Sequence, residues 1–142
     1  MAITFQAENI GFPTIKKRET ANWIKSVAKS YGKQTGDISY LFCTDEKILE
    51  VNRLYLQHDF YTDIITFDYS EGDRISGDIF ISLETVLSNS RKYRVSFEEE
   101  LYRVIIHGIL HLCGQNDKSE TEAEEMRKAE DTALVQRNES GY

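Results

Sequence analysis

The chain is short of the residues that interrupt or cross-link a fold. Pro13 is the only proline in 142 residues. With no low-complexity or repeated tract beside it, nothing marks a linker at which to divide the chain. One domain over 1–142 is expected, long enough to bury a core. Cys43 and Cys113 are the only cysteines. Two thiols do not make the disulfide framework of a small secreted domain, and reduced thiols in a cytoplasmic protein are the expectation. No apolar run nears the roughly 20 residues that span a bilayer. The opening MAITFQAENIGF lacks the charged-then-apolar order of a signal peptide, so no membrane association is expected. Positive charge is short as well. A formal net charge of −7 excludes gross nucleic-acid binding through overall charge.

A local basic face stays open. Lys16, Lys17, Arg18, Lys25, Lys29 and Lys33 crowd the first quarter, and Arg91, Lys92 and Arg94 form a second group. Acid concentrates over 120–131, where Glu120, Glu122, Glu124, Glu125, Glu130 and Asp131 fall together. Such a run ordinarily makes a solvated helix face.

Periodicity supplies the architecture. Ile3-Thr4-Phe5 reads as a short strand, and 14–31 as an amphipathic helix closed at Gly32. Ile38–Cys43 reads as a strand, and 45–56 as a helix capped by Thr44 or Asp45. Strands are expected over 64–67 and 77–82, antiparallel to one another because the link between them is short, with a helix over about 83–93. Ser96-Phe-Glu-Glu99 and Ser119-Glu-Thr-Glu122 are capping boxes. They open helices running to Cys113 and to about Arg137. Helices between strands predict an α/β (α+β) fold: a small mixed sheet of about four strands packed with about five helices.

Histidine is scarce too, with three in the chain, yet two of them are His107 and His111. At i and i+4 they share one side of a helix. Gly114 stops that helix and lets the chain carry Asp117 back toward the pair. Two imidazoles and a carboxylate leave a fourth position open, as catalytic zinc sites do. Packing histidines are the plain alternative. Gly108 weighs toward the metal: glycine inside a helix costs about 1 kcal/mol relative to alanine and suggests close approach of another segment near the histidines, with tight helix packing as its plain alternative. The spacing matches the zinc-protease pattern H-E-x-x-H except that Gly108 replaces the glutamate that acts as general base, which argues against peptide hydrolysis. Cys113 is a rival thiolate ligand, but it lies about 200° around the helix from His111.

The segment His107-Gly108-Ile109-Leu110-His111-Leu112-Cys113-Gly114 resembles the H-G-x-L-H-L-x-G signature of the YbeY family of bacterial endoribonucleases. That signature continues x-D-H; here Asn116 stands at the usual aspartate and Asp117 at the usual third histidine. Two further stretches are similar to family motifs: 51–67, with Asn52, Tyr55, Asp59, Thr62, Asp63 and Phe67, and Gly77-Asp78-Ile79-Phe80-Ile81-Ser82. The three span most of 50–117, while the first 45 residues contribute little. The resemblance implies one Zn²⁺ per chain on a zincin-like helix, held by His107, His111 and Asp117. It also implies single-strand-specific, zinc-dependent RNA cleavage in ribosomal RNA maturation and ribosome quality control. RNA and the ribosomal subunit are then the partners, in the cytoplasm, with no DNA substrate. One departure stands out. The family carries an activity-linked arginine directly after the tyrosine, and here that position is Leu56. Arg53, one turn earlier, is the nearest substitute for contacting phosphate, with Arg103 second. Asp59 is a candidate for positioning water or orienting a ligand, against the plain role of a turn former. His58 is a proton-carrier candidate or an exposed loop histidine. The rival readings are a non-catalytic ribosome-associated factor with a structural metal, closed by Cys113 or Asp63, and a metal-dependent hydrolase of another substrate.

Overall fold

The computed structural model describes residues 2–56 and 62–140. Four strands, β1 (Ile3–Ala7), β2 (Gln34–Cys43), β3 (Ile64–Asp68) and β4 (Arg74–Ser82), form one sheet in the order β1-β2-β4-β3. The first three in that order are mutually parallel, and β3 runs antiparallel along the far edge of β4. Among the described residues five α-helices accompany the sheet: α1 (Lys17–Ser30), α2 (Asp45–Val51), α3 (Leu83–Tyr93), α4 (Phe97–Leu112) and α5 (Glu120–Ser140). The expected 45–56 helix is therefore divided. Its second half, Asn52–Leu56, winds as a π-helical turn. The strands are also longer than expected at their starts, β2 by four residues and β4 by three. The β2 extension, Gln34–Asp37, is polar and contains a glycine, while the β4 extension, Arg74–Ser76, carries a single apolar residue, the buried Ile75.

Four of the five described helices start at a capping side chain; α1, entered from Lys16, has none. Thr44, Ser82 and Ser96 side chains accept from the amides of Lys47, Thr85 and Glu99, satisfying donors that a helix start leaves open. Ser119 and Glu122 cap reciprocally, at 3.0 and 3.1 Å. The strands present one parity of side chains to α1 and α4. Ile38, Tyr40 and Phe42 of β2 and Ile75, Ile79 and Ile81 of β4 join Trp23, Ile24, Leu101, Ile105 and Ile109 in the main core. The opposite parity, including Ile65, Phe67 and Phe80, meets Ile48 and Val51 from α2 in a smaller cluster. Polar tips inside the core are matched: Tyr40 donates to the Ile105 carbonyl at 2.8 Å and Trp23 to that of Ala133 at 2.9 Å.

Gly108 settles where α4 lies. A methyl group there would stand 3.0 Å from Ile79 Cδ1 and 3.2 Å from Ile64 Cδ1. Helix α4 thus rests directly on β4 and the edge strand β3, as the sequence anticipated. Its histidine-bearing side overlooks the β3 edge.

Candidate metal centre

His107, His111 and Asp117 line one cavity of about 270 Å³, with Thr62, Asp63, Ile64 and Thr66 from the start of β3 forming the opposite wall. The turn after α4 brings Asp117 in. Gly114 adopts φ +102°, the left-handed conformation that suits glycine. Its amide bonds to the His111 carbonyl, and the Gln115 amide to that of Leu110, the paired bonds of a Schellman stop. The same turn returns the Gln115 carbonyl to His111, 3.0 Å from its Nδ1.

The two imidazoles lie 6.0 Å apart, inclined by 22°. His107 Nδ1 is 2.7 Å from Glu130 Oε2, and its Nε2 is 3.3 Å from Asp117 Oδ2. Carboxylate and carbonyl oxygens only accept, so both rings can donate from Nδ1 and keep Nε2 for the cavity. This is the support that metal-bound histidines commonly have. Two donors at about 2.0–2.1 Å from a tetrahedral zinc stand roughly 3.3 Å apart, the separation of His107 Nε2 and Asp117 Oδ2. That pair of donors fits such an ion. As they stand, no three histidine, cysteine, aspartate or glutamate side chains among the described residues converge tightly enough to form a finished cage.

Electrostatics single out this corner. Burial pulls the His107 imidazole down, but its bond to Glu130 and the charges of Glu130, Asp117 and Asp63 outweigh it, and the net shift is upward. Asp63 is pushed above the usual carboxylate range by burial, against the pull of His107. A second cavity of about 140 Å³ adjoins, where Asp63 and His107 meet Glu100, Arg103, Arg127 and Glu130.

The other candidates lie as follows. Arg53 lines a separate depression with Glu8, Thr44 and Lys47 and does not border the histidine cavity. Leu56, at the family arginine position, is 39% exposed at the end of the π-turn. Arg103 is engaged by Glu130 at 2.9 Å and Asp131 at 2.7 Å. Cys113 does not line the cavity, and burial raises its thiol to about 11. His58 and Asp59 lie outside the described residues. In the sequence Glu130 is one more acid of a run expected to be solvated. Its signal was the stripe Met126, Glu130, Ala133, where a carboxylate occupies a buried helical position. Asp63 entered only as a closing ligand, yet it borders both cavities.

Comparison with known proteins agrees across nearly the whole chain. The family model described as Endoribonuclease YbeY matches residues 3–138. Relatives named Endoribonuclease YbeY include one from Bacteroides fragilis, 65% identical over 139 residues, covering 98% of this chain and all of the relative. One from Porphyromonas gingivalis is 54% identical over 138 residues, covering 97% and 91%. A Thermotoga maritima protein solved in solution superposes with a TM-score of 0.63 at 25% identity, covering 98% of this chain and 93% of its own. The chain belongs to the endoribonuclease YbeY family.

Proposed function

We propose that this protein is a zinc-dependent endoribonuclease that cuts single-stranded RNA during ribosomal RNA maturation, in the cytoplasm. Family membership supports endoribonuclease activity. The observation that carries the metal reading is one cavity holding His107, His111 and Asp117 between α4 and the β3 edge. His107 and His111 would bind zinc through Nε2, and Asp117 through its carboxylate. Bound zinc supplies charge for the phosphodiester oxygens and acidifies a water toward neutral pKa. The residues do the rest. Asp117 adds one negative charge where an imidazole would add none, and Asp63 lines the wall that faces the histidines. Arg53 is assigned to phosphates away from the scissile bond, since it borders a neighbouring depression. Asp59 is assigned to positioning water. With the whole chain acidic, RNA binding rests on local cations and weakens with salt as counterions are released.

Among the described residues, Asp63 is the one further carboxylate lining the cavity. A closed structural site would have to use it, which makes Asp63→Asn informative: metal kept and cleavage changed favours the open, catalytic site. The direct test measures zinc content and single-stranded RNA cleavage for wild type, His111→Ala and Asp117→His. His111→Ala should lose both; Asp117→His should keep metal, because imidazole also ligates a tetrahedral ion. Equal cleavage by wild type and His111→Ala would sink the reading.

A further inference from the structure

We propose that Glu130 is a positioning residue of the metal centre: it holds His107 in the Nδ1–H form, and Arg103 and Asp131 hold Glu130. The proposal rests on the reading of His107 as a ligand.

A neutral imidazole has one proton and two nitrogens to place it on. Each nitrogen of His107 faces a carboxylate, so the two compete. Glu130 Oε2 is 2.7 Å from Nδ1, the length of a strong charge-assisted bond; Asp117 Oδ2 is 3.3 Å from Nε2. The ring proton therefore sits on Nδ1, which donates to the closer carboxylate. Nε2 is left with its lone pair turned to the cavity, the form a metal needs.

Glu130 can do this only if it is itself held. It is 6% exposed, and a buried carboxylate without compensation is costly. Its two oxygens are divided between two tasks. Oε2 serves His107, and Oε1 accepts from Arg103 at 2.9 Å. The other terminal nitrogen of Arg103 donates to Asp131 at 2.7 Å. The guanidinium fork is therefore filled by two successive acids of α5, and its function is to hold Glu130 rather than to meet phosphate. His111 is supported differently, by the neutral carbonyl of Gln115 at 3.0 Å. The two imidazoles should thus respond unequally to loss of Glu130.

Glu130→Gln turns this logic into a test. The amide keeps one oxygen and replaces the other with NH₂. Arg103 only donates, so the amide oxygen faces Arg103 and the NH₂ faces His107. Nδ1 must then accept, and the ring proton moves to Nε2. Nitrogen-15 spectra of the metal-free protein at pH 9 report the tautomers directly. Wild-type His107 should be protonated on Nδ1 and the Glu130→Gln ring mainly on Nε2, with His111 unchanged. Zinc affinity, measured by competition with a chromophoric chelator, should fall by about ten- to a hundredfold. Asp131→Asn, at an exposed site, should shift both in the same direction by less. A wild-type His107 protonated mainly on Nε2 overturns the proposal with no variant needed. So does a folded Glu130→Gln protein with unchanged tautomer and zinc affinity. If His111→Ala binds zinc as tightly as wild type, the metal reading fails instead, and the tautomer still decides what Glu130 does to the ring.

Discussion

The two sides of α4 are built on different principles. One side carries Leu101, Ile105, Gly108, Ile109 and Leu112 into the main core. Apolar burial is non-directional and scales with area, so these residues are held by many neighbours at once. The other side carries Glu100, Arg103, His107 and His111. Arg103 and the histidines are each tied to particular atoms elsewhere: Arg103 and His107 to α5, His111 to the turn after α4. The helix is a mounting plate, its position set by area on one side and its chemistry by direction on the other. Losses on the two sides should therefore separate.

The widest separation is between Ile105→Ala and His107→Ala. Ile105 is fully buried, and truncation should cost about 2–5 kcal/mol of unfolding free energy while zinc stoichiometry in the folded protein stays at one. His107→Ala should do the reverse: zinc affinity should fall by more than about 100-fold, beyond the loss expected for a supporting residue, with a much smaller change in denaturation midpoint. Urea titration beside elemental analysis reads both. A His107→Ala protein that unfolds as easily as Ile105→Ala would erase the distinction.

Gly108→Val comes next, because it touches both sides. Its methyls would press on Ile79 and Ile64, already 3.0 and 3.2 Å from a first added carbon. Overpacking of this kind costs about 1–3 kcal/mol. Ile64 also walls the histidine cavity, so zinc affinity should fall along with stability. Stability lost with zinc binding intact would show that α4 lifts without disturbing the site.

The smallest effect concerns Glu100, which is buried on the charged side. Burial raises its pKa, with Asp63 adding to the rise and Arg103 and Arg127 opposing it. A carboxyl with a raised folded pKa contributes its full stability below its unfolded pKa, about 4.3. It loses that contribution as pH rises through the folded value. Glu100→Gln removes the loss. Its denaturation midpoint should match wild type at pH 4 and exceed it at pH 7. A midpoint below wild type at pH 7 would mean that the arginines, not burial, govern this carboxyl.

This difference between sides also explains what could be read in advance. The core side of α4 follows a helical repeat, and the capping serines announce its ends, so the elements and the antiparallel β3–β4 pair were legible. Gly108 revealed close approach because a glycine inside a helix demands a reason. Gly114 and Asp117 were legible because a helix stop is local chemistry. The partners of His107 and Arg103 were not, since Glu130 and Asp131 sit among like-charged neighbours and only the packing of α5 selects them. The π-turn was hidden for a similar reason. Residues 52–56 continue the pattern of the preceding helix, and nothing in their sequence marks the wider winding, in which Tyr55 meets Phe67 edge-on.

The bond from His107 to Glu130 spans 23 residues, and it orders events in time. A chain made from its N-terminus at roughly 5–20 residues per second has both histidines about 1–5 seconds before the acids that support His107. Through that interval His107 Nδ1 lacks its carboxylate partner. The contacts that tie His107 and Arg103 to Glu130 can close only after the last helix has been made, so the charged side of α4 is completed later than its apolar side.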